Sequence, residues 1–206
     1  MYKRQEKYVE ECLISVLEQP FNSIELIVVD DGSTDGSVAK CLDLMARGYQ
    51  YILIGQRQGG PNIARNLALT LASGSYVLFM DADDRLRSSV LQLLHDEMIR
   101  FPQADVTSFG YIFFDDETGA IRAGACPPRR HLKDGHIFVE ALTGKDFAGV
   151  CWNKCYRRTF LSGNDISFVP DQVHGRDLLF SRNVALHANE WRSLNAVVYE
   201  LSLIHI

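Results

Sequence analysis

The sequence predicts an α/β domain, a mostly parallel sheet covered by helices. Three observations carry this. Short apolar, β-branched runs alternate with helical patterns through the first half of the chain. The connections between them are short, as in βα units. The composition is globular: 206 residues, 47% apolar and 23% charged. A chain of this length buries a core without staples.

The elements follow in order. A helix over 6–18 places Val9, Cys12, Leu13, Val16 and Leu17 on one face. The run 24–29 is a strand that ends in Asp30-Asp31-Gly32-Ser33. Asp35 caps a helix carrying Val38, Leu42 and Met45. A second strand spans 51–54. Pro61 then sits where a first helical turn tolerates it, ahead of Ile63, Ala64, Leu67, Ala68 and Leu71. A third strand over 76–80 is closed by Asp81-Ala82-Asp83-Asp84. Ser88 or Ser89 opens a helix through 100 with Val90, Leu93, Leu94 and Met98 inside. Beyond it the rhythm changes. A longer strand over 105–114 turns at 115–119 and returns antiparallel over 120–125, and 127–130 is a loop. Helical patterns lie over 134–142 and 176–188, with 151–161 partly helical between them and a last strand at 197–199.

Several function classes are excluded. No apolar run is long enough to cross a bilayer as a helix, and the amino terminus has no secretory h-region. The formal net charge is -5 and no basic stripe is present, which argues against nucleic acid as a partner. Five cysteines, at 12, 41, 126, 151 and 155, do not pair by spacing and offer no zinc set, so they read as free thiols in a reducing cytosol.

Ligands of open α/β sheets bind beyond the carboxyl ends of the strands. Two acidic clusters sit at such ends, Asp30-Asp31 and Asp81-Ala82-Asp83-Asp84. Aspartates also cap turns and helices, and for Asp30, Asp35 and Asp84 that bland reading has equal weight. For Asp31 and Asp83 it is weaker, since one cap needs one carboxylate. Alternate carboxylates suit Mg²⁺ or Mn²⁺, which take one or two such ligands and leave positions for phosphate and water. A diphosphate leaving group fits that chemistry.

The segments Ile27-Val28-Val29-Asp30-Asp31-Gly32-Ser33-Thr34-Asp35, Gly59-Gly60-Pro61 with Ala64-Arg65-Asn66, and 72–84 resemble, in order and spacing, the family 2 glycosyltransferases with a GT-A fold. The likeness runs from about Tyr8 to Met98. It continues more weakly at Trp152-Asn153-Lys154, Tyr156-Arg157-Arg158 and Gly175-Arg176-Asp177-Leu178-Leu179-Phe180. It implies one GT-A domain over 6–200, with a nucleotide-sugar-binding half over 6–100 and an acceptor-side half over 101–200.

The resemblance also implies roles. Asp30 and Asp31 belong to the donor-nucleotide site, with Asp31 accepting from the ring N–H of a uracil-like base. Asp81 and Asp83 form the DxD element; Asp83 is the more direct metal ligand, and Asp81 lies nearer ribose or metal. Arg65 stands near the donor phosphates, and Asp177 is the general base. The family usually has Glu where this chain has Arg176. Trp152, Lys154 and His174 are acceptor-side candidates, although core or rim packing is the commoner use of a tryptophan and surface or packing roles the commoner use of these histidines.

The implied reaction is inverting transfer of a sugar from a nucleotide-diphosphate sugar, UDP-linked by preference, to a hydroxyl of a carbohydrate or lipid-linked acceptor, in polysaccharide or glycolipid synthesis. The expected location is cytoplasmic, peripheral at the inner face of the membrane, with membrane association residing in a longer parent. The family opens with a strand and a nucleotide-cradling loop that this sequence lacks, so an N-terminally truncated domain is expected, with 1–5 and 201–206 as non-native ends. Two alternatives stand beside this. A haloacid-dehalogenase-like phosphohydrolase also uses Asp-x-Asp after a strand, but wants Thr or Val where Arg85 stands. An inactive, truncated donor-binding domain is the other.

Overall fold

In a computed structural model the described residues are 5–115, 118–133, 136–137, 140, 149–170, 172 and 174–203. The order is α1 (Val9–Leu17), β1 (Ile27–Asp30), α2 (Ser37–Ala46), β2 (Ile52–Gly55), α3 (Pro61–Leu71), β3 (Tyr76–Leu78), β4 (Arg85–Leu86) and α4 (Val90–Arg100). Then come β5 (Val106–Phe114), β6 (Ile121–Ala125), β7 (Arg130–Lys133), β8 (Lys154–Arg157), α5 (Arg158–Gly163), α6 (Arg176–His187) and β9 (Glu190–Ser202).

The sheet is mixed. β1–β2 and β5–β9 are parallel, as expected, and the remaining pairs are antiparallel. One piece is the β1–β2 pair; the other runs β3-β8-β5-β9-β4, with β6 on β5 and β7 on β9. β8 enters between β3 and β5 and opposes both, so those two strands still point the same way. Among the described residues no ladder joins β1 to β3. The two acidic loops are therefore brought together by packing: Ile24 and Leu26 pack in one cluster with Tyr76, Leu78 and Met80. Glu25 supplies a polar tie across the same seam, accepting from Ser73 N–H at 2.8 Å and Gly74 N–H at 3.1 Å.

The core has two large centres. Phe79, Tyr156, Phe168, Phe180 and Trp191 anchor one; Leu94, Phe109, Trp152, Val198 and Tyr199 anchor the other. Both contain residues from β8, which is why that strand forms. Lys154, Cys155 and Tyr156 are all buried, so both of its faces pack. The expectation of partly helical structure over 151–161 holds only for its second half. The last strand is thirteen residues long and starts at Glu190, well before 197. It continues past 200 because Ser202 N–H is taken by Asp84 Oδ1 at 2.8 Å. The helix expected over 134–142 falls largely on residues outside those described, as do 1–4 and 204–206.

Ser89 precedes α4, but its side chain makes no capping bond. Gln19 does that work from a distance. Its Oε1 accepts from Val90 N–H at 3.1 Å, while its Nε2 donates to Ser15 and Arg87 carbonyls. One buried amide thus joins α1 to the start of α4 and satisfies a donor that the helix itself leaves open.

Candidate functional site: a carboxylate crevice bridged by arginine

Asp31 follows β1 and faces the loop that leads into α3. Its Oδ1 accepts from Gly59 N–H and from the Gln56 amide, both at 2.7 Å, and its Oδ2 from Gly60 N–H at 2.8 Å. Gly60 has φ 90 and ψ 164, a backbone state that essentially only glycine adopts, and this conformation turns its N–H toward the carboxylate. Burial pushes the Asp31 pKa up, but the Gln56 amide and the two N–H groups outweigh it and leave it below the usual range. Asp31 is thus a charged organiser of the Gly59-Gly60 loop, with lone-pair capacity left for a ring N–H. Asp30 serves its own turn: both oxygens accept from Ser33 N–H, at 3.2 and 3.3 Å.

The Asp31 shift makes a stability prediction. A carboxylate whose folded pKa lies below its unfolded value of 3.8 contributes stability above about pH 4. That contribution drains as pH falls through the lower, folded pKa. Asp31→Asn should therefore show a shallower decline of melting temperature between about pH 4 and pH 2 than the parent. Parallel curves for the two proteins would contradict this.

Arg65, on α3, brings the second acidic cluster and the candidate base together. Its Nη2 donates to Asp81 Oδ1 at 2.7 Å and its Nη1 to Asp177 Oδ1 at 2.8 Å. The guanidinium also lies over the Phe168 ring at 5.3 Å. Two asparagines hold that stretch of chain against α3. Asn66 accepts from Phe168 N–H and donates to its carbonyl, and Asn62 donates to the Val169 carbonyl at 2.6 Å. They stand four apart, on one helical face. Burial works against the charge of Arg65, and Cys151, Asp81 and Asp177 beside it outweigh that, so its pKa rises above the ordinary value.

Asp177 opens α6. Its Oδ2 accepts from Cys151 N–H at 3.3 Å and from the Cys151 thiol at 3.4 Å. Burial pushes that thiol well up, so it stays protonated and can donate. Both carboxylate oxygens of Asp177 are thus oriented.

Asp81 carries the crowding of the cluster. Desolvation raises its pKa, Arg65 pulls it down, and Asp177 and Asp83 raise it again. One guanidinium pairs with two carboxylates, and a third, Asp83, adds its charge beside Asp81, which favours an added cation. Among the described residues no group of three or more His, Cys, Asp or Glu side chains could cage a metal. Asp81 and Asp83 fit a less demanding arrangement, in which Mg²⁺ or Mn²⁺ takes one or two carboxylates and completes its shell with phosphate and water. Asp84 belongs to the framework. It is 2% exposed and accepts from Tyr199 Oη at 2.7 Å and from Ser202 N–H, and burial raises its pKa to about 8.

The acceptor-side candidates lie elsewhere. Trp152 is buried and stacks on Tyr199 with centroids 4.8 Å apart, so its place is in the core. Lys154 is 1% exposed, with its ammonium donating to the Val150 carbonyl and Asn153 Oδ1, each at 2.6 Å. Burial pushes its pKa down to about 7. Both are corrected from acceptor contacts to interior residues. Both faces of β8 and of the segment before it are buried, which a four-residue window does not reveal. His174 is exposed, and its carbonyl accepts from the Gln172 amide. Cys151, Asn62, Asn66 and Tyr199 were not singled out from sequence as site-supporting residues. Only Asn66 carried a signal, through its place beside Arg65 in the Ala64-Arg65-Asn66 motif.

The chain is 28% identical to the poly(ribitol-phosphate) beta-N-acetylglucosaminyltransferase TarS of Staphylococcus aureus over 94% of its length, covering 33% of that protein. It is 28% identical to the uncharacterised glycosyltransferase EpsJ of Bacillus subtilis, over 94% of this chain and 57% of that one. Glycosyltransferase GlyA of Streptococcus pneumoniae is 34% identical over 55% of the chain, which corresponds to 16% of GlyA. The chain thus spans well under two thirds of these relatives. Crystal structures of S. aureus TarS 1-349 superpose with TM-scores of 0.79 for the UDP complex and 0.78 for the UDP-GlcNAc complex, each 25% identical. Those matches cover 97% and 96% of this chain, and 57% and 55% of the TarS chains. The fold is GT-A. The family model for glycosyl transferase family 2 matches residues 1–162, and the chain belongs to that family.

Proposed function

We propose that the protein transfers a sugar from a UDP-sugar to a hydroxyl of a cell-envelope polymer, with inversion at the anomeric carbon. The observation that carries this reading is the Arg65 bridge. It sets the Asp81 side of the DxD element and the Asp177 carboxylate on opposite ends of one guanidinium, at 2.7 and 2.8 Å. A donor diphosphate and an acceptor hydroxyl meet where those two ends meet. The relatives that act on poly(ribitol-phosphate), and the TarS structures with UDP and UDP-GlcNAc, support the donor and the polymer class. Family membership argues against the dehalogenase-like alternative.

In this reading Asp31 and the Gly59-Gly60 loop hold the base. Arg65 turns toward the departing diphosphate as charge develops there, which loosens its hold on Asp177. Asp177, oriented by Cys151, takes the proton of the acceptor hydroxyl, and the oxygen attacks from the face opposite the diphosphate. General-base help of this kind contributes about 10²–10⁴-fold. Mg²⁺ or Mn²⁺ at Asp81 and Asp83, when bound, offsets the leaving-group charge. No described helix is long and apolar enough to cross a membrane.

Incubation with UDP-GlcNAc or UDP-glucose, scored as UDP release with Mn²⁺ and with EDTA, tests the proposal. Metal-dependent release is expected. Release of inorganic phosphate from a simple monoester without UDP release would contradict it.

A further inference from the structure

One peptide group stands between the buried Lys154 and the candidate base. The N–H of the Val150–Cys151 peptide donates to Asp177 Oδ2 at 3.3 Å. The carbonyl of the same peptide, that of Val150, accepts from Lys154 Nζ at 2.6 Å and from Ser181 Oγ at 3.1 Å. Lys154 and Ser181 therefore sit at one end of a dipole whose other end faces the carboxylate. Donors on a carbonyl polarise the peptide and strengthen the bond that its N–H makes. Lys154 opens β8 and reaches back over the turn, where Asn153 Oδ1 also accepts from it at 2.6 Å. Ser181 lies one turn beyond Asp177 on α6. The next peptide is fixed as well, since Tyr156 Oη donates to the Cys151 carbonyl at 3.0 Å. Both Lys154 and Ser181 are buried. A buried lysine costs desolvation, and methionine, unbranched and apolar, fills such a space without that cost. Packing alone thus does not account for a lysine here. Burial pushes its pKa down to about 7, and the ammonium and the neutral amine both carry N–H donors for these bonds.

We propose that Lys154 and Ser181 are positioning residues for the base, acting through the Val150–Cys151 peptide to hold Asp177 Oδ2 while Oδ1 exchanges Arg65 for the acceptor hydroxyl. The inference rests on the transferase reading above and deepens it. In that reading Arg65 loosens its hold on Asp177 Oδ1 as the diphosphate departs. A carboxylate released at one oxygen keeps its aim only if the other stays held, and a misaimed group costs rate. The Cys151 N–H and thiol hold Oδ2, and Lys154 and Ser181 hold the peptide that carries that N–H.

The test is a mutant cycle on the 206-residue chain, scored as UDP release at saturating UDP-GlcNAc or UDP-glucose with Mn²⁺. Lys154→Met should lower kcat about tenfold, the size of one charge-assisted hydrogen bond, and Ser181→Ala about threefold. Donor affinity should keep its parental value in both. In the Asp177→Asn background neither substitution should lower the residual rate further, because the group they position is gone. A residue that serves folding alone would lower the rate by the same factor in both backgrounds. Parental kcat in both variants, or equal factors in both backgrounds, would overturn the proposal. The ¹⁵N-labelled chain gives a second readout that needs no turnover. The Cys151 amide proton should move upfield in Lys154→Met and in Ser181→Ala, and an unmoved resonance would overturn the proposal. Ser181→Ala removes a single oxygen, so the result does not hang on whether Lys154→Met folds. Turnover that survives Asp177→Asn overturns the base assignment and this inference with it. Turnover lost in Asp177→Asn but parental in both positioning variants overturns this inference alone.

Discussion

Asp177→Asn is expected to lower kcat by at least about 10²-fold, with a much smaller change in donor affinity. The substitution keeps the size of the side chain and its place at the start of α6. What it removes is the basic oxygen, and with it the ability to take the acceptor proton in the transition state. It also leaves Arg65 with Asp81 as its one anionic partner of the two. Arg65 then leans toward the donor side, which tends to keep donor binding intact. Steady-state kinetics at saturating UDP-sugar separates the two effects. If turnover at saturation persists while donor affinity collapses, Asp177 is a donor-binding residue and the assignment of the base is wrong.

The largest effect on stability is expected far from the crevice, at Asp105. This residue precedes β5 and is 2% exposed. Its Oδ2 accepts from Asn189 N–H at 2.8 Å and Glu190 N–H at 3.2 Å, while its Oδ1 receives the Arg157 guanidinium. One carboxylate therefore ties together the start of β5, the end of β8 and the start of β9, the three central strands. Asp105→Ala leaves two backbone donors without an acceptor and the half-buried Arg157 guanidinium with the Gln103 carbonyl in place of a carboxylate. Breaking a buried pair costs about 3–5 kcal/mol, and the 30% exposure of Arg157 places the loss near the lower end. Against the usual 5–15 kcal/mol of a domain that is a large fraction. Urea unfolding should show the midpoint falling with little change in slope. Asp105→Asn, which keeps an acceptor for the N–H groups, should lose less. A loss below about 1 kcal/mol for the alanine variant would mean that water replaces these bonds at little cost.

The two halves of the chain were legible to different depths, for physical reasons. Up to α4 each element is amphipathic and local, and loop chemistry marks its ends. The helix over Pro61–Leu71 and the strand that precedes Asp81 follow directly from that pattern. Beyond Phe114 the strands owe their existence to partners distant in sequence. β8 is four residues with lysine at one end and arginine at the other, and it forms because β3 and β5 flank it. The long β9 begins with Glu190, Trp191 and Arg192, a stretch with no clear alternation. Its register is set by β5 and β7. β4 is two residues paired to β9 and carries no sequence signal of its own.

The site divides in the same way. Asp31, Arg65, Asp81 and Asp177 were recognisable from motif and order. That Arg65 joins Asp81 to Asp177, 112 residues away in sequence, is a tertiary fact. So is the Cys151 thiol behind Asp177, since a lone buried cysteine gives no hint of its neighbour. Trp152 and Lys154 misled because their motif suggests an acceptor surface, whereas the packing of β8 turns them inward.

The central claim is that Asp31, the Arg65 bridge and the DxD element form one donor crevice. Calorimetric titration of the chain with UDP in the presence of Mn²⁺ tests it most directly. Saturable one-site binding is expected, weakening by about tenfold or more in Arg65→Ala, the cost of one charge-assisted contact to phosphate. Absence of UDP binding, or equal affinity in the parent and in Arg65→Ala, would contradict it.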